Sequence, residues 1–98
     1  MKYRYRCPIC GNLNLEIRAY AGPTEGFGAA SLDVCLCCGF QYGYTDDDQG
    51  HSFQSWRDQW IAEGMPWRGV GQGKPRGYDP VEQLTHVDMT VVRRRAWE

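Results

Sequence analysis

The sequence predicts a small α+β domain: a short antiparallel sheet tied at one end by cysteines, one aromatic-rich helix and a second, shorter helix. Three observations predict it. The pattern Cys-x2-Cys-Gly occurs twice, as Cys7-Pro8-Ile9-Cys10-Gly11 and within Cys35-Leu36-Cys37-Cys38-Gly39. Alternating runs border the first copy, at Tyr3 to Arg6 and at Leu13, Leu15 and Ile17, and short strand-like segments border the second. An aromatic stripe with helical spacing follows, from Phe53 to Ile61.

Size makes a staple necessary. The chain of 98 residues, 42% apolar, 13% aromatic and 23% charged, fits one domain over 1–98 rather than two. A chain this short buries only about 60–65% of its unfolded surface, so an apolar core alone is marginal. It holds no run of eighteen apolar residues, which excludes a spanning helix. The opening MKYRYRCPIC carries no apolar stretch of the signal-peptide kind, so the cytoplasm is the expected location. Eleven Lys+Arg against twelve Asp+Glu leave a net charge of −1, too balanced for whole-chain attraction to nucleic acid or to a membrane.

Five cysteines in two clusters, an odd number without an export signal, argue for a metal rather than a disulfide framework. In each Cys-x2-Cys-Gly turn the first thiolate ends a strand and backbone amides point back at the sulfur. The glycine then supplies the positive φ that turns the chain away. Two such turns, twenty-four residues apart, present four sulfurs to one tetrahedral ion, which assigns Cys7, Cys10, Cys35 and Cys38 as ligands. Short antiparallel strands clamped at one end by an ion describe a zinc ribbon. Zinc is expected over iron, because Asn12 to Val34 lacks the acidic, aromatic pattern associated with rubredoxins. Cys37 stands where the first turn has Ile9, so it reads as a small apolar filler; a reactive thiol is the alternative. Pairing Cys37 with Cys35 as ligands would break the turn geometry.

The elements follow in order. Tyr3 to Arg6 and Leu13, Leu15 and Ile17 form two strands of a hairpin with the metal at its tip. The breaker-rich segment from Ala21 to Ala30 is a loop. Ser31 to Val34 and Phe40 to Tyr44 then flank the second turn as strands, closing a ribbon over 1–45. Asp46, Asp47 and Asp48 read as a solvated surface turn, since the calcium-loop spacing is absent. Ser52 caps a helix from Phe53 to about Glu63, within a packing segment over 51–64, with Gly64 and Pro66 stopping it. Phe53, Trp56, Trp60 and Ile61 share its apolar face, with Gln54, Arg57, Asp58 and Glu63 expected away from it. A glycine-rich basic loop over 65–78 lacks the ending of a phosphate loop. Asp79, Pro80 and Glu82 open a short helix to about His86, in a final stretch over 79–98. Met89, Val91 and Val92 read as a last strand or extended tail before Arg93 to Arg95.

For chemistry, His51 and His86 sit in no nucleophile or metal pattern, and G-x-S-x-G, HExxH and the Rossmann glycines are absent. A non-catalytic role is expected. Asp46, Asp47 and Asp48 with neighbouring aromatics are the candidate contact surface for a protein partner. Arg4, Arg6 and Arg18, interleaved with Tyr3, Tyr5 and Tyr20, together with Lys74, Arg76 and the run Arg93 to Arg95, are the alternative surface, for nucleic acid.

With CPICG, CLCCGFQYGY and HSFQSWRDQWIAEGMPW in view, the chain resembles small, largely uncharacterised bacterial cysteine-rich proteins of the CPCC type. The resemblance covers Cys7 to Trp67, with a weaker echo over Tyr78 to Leu84. It maps the family's cysteine turns onto Cys7, Cys10, Cys35 and Cys38, and its aromatics onto Phe40 and Tyr42. Leu36 departs from the proline common in the second turn. It implies a zinc ribbon followed by a tryptophan-rich helix and a short Pro-led helix, and it implies no activity; some such small proteins look like accessory or immunity-type binders.

Overall fold

A computed structural model describes residues 3–22, 28–69 and 73–88. Two strands, β1 (Tyr5–Arg6) and β2 (Leu13–Leu15), pair antiparallel with Tyr5 opposite Leu15 and Arg6 opposite Leu13. The expected hairpin is there, but shorter, and Ile17 falls beyond it with 55% of its surface exposed. A bulge between Tyr5 and Arg6 cuts the ladder, as extra residues do at sheet edges.

The two strands expected around the second turn contract to single bridges. Val34 pairs with Gln41, and Tyr20 pairs with Ala30. After Gln41 the chain coils at once into successive turns, with Thr45 N–H bonding back to the Gln41 carbonyl at 2.9 Å. Turn formation therefore removes the amides a strand would need.

Helix α1 (Phe53–Ala62) begins as expected. Ser52 caps it, accepting from Ser55 N–H at 2.9 Å while Ser55 Oγ accepts from Ser52 N–H at 3.1 Å. Gly64 follows in the left-handed region at φ 95°, the usual stop. Helix α2 (Pro80–Leu84) opens with Pro80 behind Asp79, whose carboxylate accepts from Glu82 N–H at 3.1 Å. It ends at Leu84, short of His86, where Thr85 Oγ1 turns back to the Glu82 carbonyl at 2.6 Å.

The core is aromatic and lies between α1 and the second cysteine turn. Phe40 packs edge-on against Phe53 and Trp56 at 5.5 and 5.8 Å between ring centres, and Tyr20 packs against Tyr42 and Phe53 at 5.9 and 5.8 Å. Such geometry adds to the area these rings bury. Trp60 is also buried.

Arg57, expected on the solvent side of α1, is buried instead, and Ile61, expected in the stripe, is 39% exposed. The face that packs runs through Phe53, Arg57 and Trp60, at i, i+4 and i+7. Asp46, expected in a solvated turn, is likewise buried, while Asp47 and Asp48 are exposed. Its carboxylate accepts from Tyr20 OH at 2.6 Å and from Gly43 N–H at 2.8 Å, so it ties the turn to the core. Met89, Val91, Val92 and Arg93 to Arg95 lie outside the described residues, as do 70–72 of the glycine-rich loop.

Candidate metal centre

The two cysteine turns are built alike. Gly11 N–H bonds the Cys7 carbonyl and Gly39 N–H bonds the Cys35 carbonyl, both at 2.9 Å. Cys7 N–H reaches Asn12 and Cys35 N–H reaches Phe40, again both at 2.9 Å. The glycines take φ of 84° and 82°, the positive values the turn requires. Backbone amides point at the sulfurs, Ile9 N–H at Cys7 and Cys38 N–H at Cys35, each at 3.4 Å.

The turns meet face to face. The Sγ atoms of Cys7, Cys10, Cys35 and Cys38 all lie within 4.8 Å of one another, and all four cysteines are buried. Cys7 Sγ stands 3.8 Å from Cys38 Sγ, and Cys10 Sγ stands 3.7 Å from Cys35 Sγ. No disulfide links them. A tetrahedron with metal–sulfur bonds near 2.3 Å has edges of about 3.8 Å, so the donor set fits a zinc-sized ion.

Polar groups surround the sulfurs. Asn14 Nδ2 donates to Cys35 Sγ at 3.4 Å and to Asn12 Oδ1 at 2.8 Å; Asn12 Nδ2 donates in turn to Gln83 Oε1 at 2.9 Å. Gln83 Nε2 reaches the Cys10 carbonyl at 3.1 Å. The buried Tyr42 hydroxyl lacks a partner of hydrogen-bonding geometry and lies against Cys7 Sγ. Orphaned buried hydroxyls are costly, and a metal-bound thiolate is the acceptor this one lacks. Burial, then the negative sulfurs, push the Tyr42 phenol well above its ordinary pKa. Burial likewise raises the Cys10 and Cys38 thiols well above theirs. Cys35 is held well below against the upward push of burial by its bonds to Cys10, Cys38, Cys7 and Asn14.

Helix α1 holds both turns through adjacent residues. Trp56 Nε1 donates to the Cys38 carbonyl at 3.0 Å, while Arg57 donates to the Ile9 and Pro8 carbonyls at 2.6 and 3.2 Å. Arg57, Asn12, Asn14, Tyr42 and Gln83 escaped the sequence reading as parts of this site. Arg57 alone left a signal: four residues after Phe53, it falls on the packed face.

Cys37 is buried outside the tetrad. Its sulfur lies 3.2 Å from Tyr78 OH, whose proton goes to the Met65 carbonyl at 3.0 Å, and it accepts from Gln83 Nε2 at 3.3 Å. Hydrogen bonding with Cys10, then with Tyr78 and Gln83, holds the Cys37 thiol below its ordinary pKa against the upward push of burial, so its sulfur is a hydrogen-bonded group and more than an apolar filler.

The surface candidates separate. Arg4, Tyr5 and Arg18 line one groove of about 560 Å³ with Ile17. Arg6 turns away to donate to the Gly11 carbonyl at 2.8 Å. Tyr44, exposed beside Asp47 and Asp48, is 43% accessible, and Leu32 and Val34 across the bridge are 60% and 51% accessible. His51 packs edge-on against Trp56 at 5.1 Å, and His86 Nε2 lies 3.1 Å from Glu82 Oε1. Among the described residues no helix is long and apolar enough to cross a membrane.

No family model and no solved structure matches the chain. It is similar to two uncharacterised proteins of Bacillus subtilis (strain 168). It is 32% identical to YoaQ over 75 residues and 32% identical to YozI over 74, alignments that cover 62% of this chain in both cases. The chain spans 60% of the length of each of these curated relatives.

Proposed function

We propose that the chain is a zinc ribbon of the CPCC type, a non-catalytic module that binds a protein partner, of regulatory or immunity-like character, in the cytoplasm. Closure of the tetrad carries this reading: four buried sulfurs lie where they would fill all four positions of a tetrahedral ion, which would leave none for water or substrate. The ion then serves the fold, and function falls to the surface the fold presents. Five cysteines with no disulfide among them suit a reducing compartment.

The contact patch combines Asp47 and Asp48 with Tyr44, Leu32 and Val34. Leu32 supports it most directly, because this exposed residue holds φ at 66°, where a leucine costs about 1–2 kcal/mol. An acidic turn beside exposed apolar side chains suits a basic partner with an apolar centre. Crosslinking in cells, followed by capture of the chain, tests it. Leu32→Gly, which relieves the backbone, and the pair Asp47→Lys and Asp48→Lys abolish capture while leaving the fold intact. Capture indifferent to both contradicts the reading.

A second reading is favoured by the groove that brings Arg4, Tyr5 and Arg18 together beside a single acidic residue, Glu16, a net cationic lining with an aromatic ring of the kind that binds single-stranded nucleic acid. It predicts an RNA oligonucleotide retarded in gels, released by moderate salt and lost with Arg4→Glu and Arg18→Glu. Absence of retardation at low salt removes it.

A further inference from the structure

Arg57 is the only positively charged side chain buried among the described residues, with 3% of its surface exposed. A cation taken out of water without an anion costs several kcal/mol. The ion pairs among the described residues join Arg68 to Glu63 and His86 to Glu82, so no described carboxylate neutralises Arg57 at contact distance. Its hydrogen bonds end on two backbone carbonyls, which satisfy its N–H groups and bring no net charge.

The missing anion is the sulfur cluster. Burial pulls the Arg57 guanidinium below its ordinary pKa, and Cys7 leads the charges that push it back, followed by Asp58, Cys10 and Cys38. Four thiolates around one divalent cation carry a net charge of about −2 into the same interior, where a low dielectric magnifies both the penalty and the attraction. We infer that Arg57 is the counter-charge of the filled tetrathiolate site, its guanidinium anchored on the Pro8 and Ile9 carbonyls of the turn between Cys7 and Cys10. This rests on the metal reading above. Trp56, its neighbour, makes the equivalent anchoring bond to the second turn with no charge, which supplies a built-in control.

The test measures zinc affinity by competition with a chromophoric chelator for the wild-type chain, Arg57→Lys, Arg57→Gln and Trp56→Phe. Cobalt absorption and circular dichroism establish that each loaded variant is folded. Arg57→Gln weakens zinc by about 10–100-fold, the range typical of groups that support metal ligands; Arg57→Lys, which keeps the charge but loses the two-nitrogen fork, weakens it less than Arg57→Gln, and Trp56→Phe stays within about threefold. Arg57→Gln within threefold of wild type, or Trp56→Phe falling as far as Arg57→Gln, overturns the inference. Should Arg57→Gln not fold, the iron-loaded Arg57→Lys decides, since it keeps the charge and loses only the fork: a potential equal to wild type is expected, and one that falls overturns the inference. Iron exchanged into the site adds a readout that a neutral clamp would not move. Removing the cation lowers the ferric/ferrous potential, because the reduced site is the more negative; an unchanged potential contradicts the role. A wild-type chain that takes up no zinc defeats the metal reading and this one together, whereas tight wild-type binding indifferent to Arg57 defeats only the counter-charge.

Discussion

Gly11 packs so closely on Gln83 that a Cβ at Gly11 would lie 2.1 Å from the Gln83 carbonyl oxygen. The first cysteine turn and helix α2 thus touch backbone to backbone, while the Gln83 side chain reaches the Cys10 carbonyl from the same helix. The second turn has no equivalent, since a Cβ at Gly39 would meet only the Arg68 side chain, at 3.0 Å.

Gly11→Ala and Gly39→Ala therefore differ although both glycines hold positive φ. Each substitution costs about 1–2 kcal/mol for the left-handed backbone. Gly11→Ala adds the displacement of α2 and loses more than about 3 kcal/mol in all, whereas Arg68 swings aside at Gly39. Thermal melts of the zinc-loaded proteins check the order; equal losses would contradict the packing.

Cys38→Ser and Cys37→Ser separate in the same way. The first removes a sulfur from the tetrad, so zinc binding and folding fail together. The second removes a hydrogen-bonded thiol and costs about 1–2 kcal/mol with zinc retained. Native mass spectrometry of both variants reads the difference, and loss of zinc from both would undo the ligand assignment.

Tyr20 OH and the buried Asp46 carboxylate form the bond that fixes the acidic turn. Tyr20→Phe leaves that carboxylate short of a donor and costs about 1.5–3 kcal/mol, while Asp48→Ala stays within about 0.5 kcal/mol. Urea denaturation midpoints check both.

What the sequence made legible is what local pattern dictates. Paired cysteine spacing located the four sulfurs, Ser52 and Gly64 bounded α1, and Asp79 with Pro80 opened α2, because each signal lies within a few residues of its effect. Illegible were the features that depend on what stands opposite. Asp46 looks identical to Asp47 and Asp48 until Tyr20 folds against it. The alternation over Ser31 to Val34 predicts a strand whose partner coils away after Gln41. Arg57 reads as a solvent-facing residue by its charge although its spacing from Phe53 puts it on the packed face, because its partners, the Pro8 and Ile9 carbonyls, lie far away in the chain.

The most direct test of the central claim is metal content per chain, by elemental analysis of protein purified without added metal, followed through chelator titration by circular dichroism. One zinc per chain is expected, with folded structure lost as the metal leaves, since zinc binding of about 10–16 kcal/mol exceeds the stability of most small domains. Purified protein without bound metal, whose spectrum is unchanged by a chelator, would contradict the account.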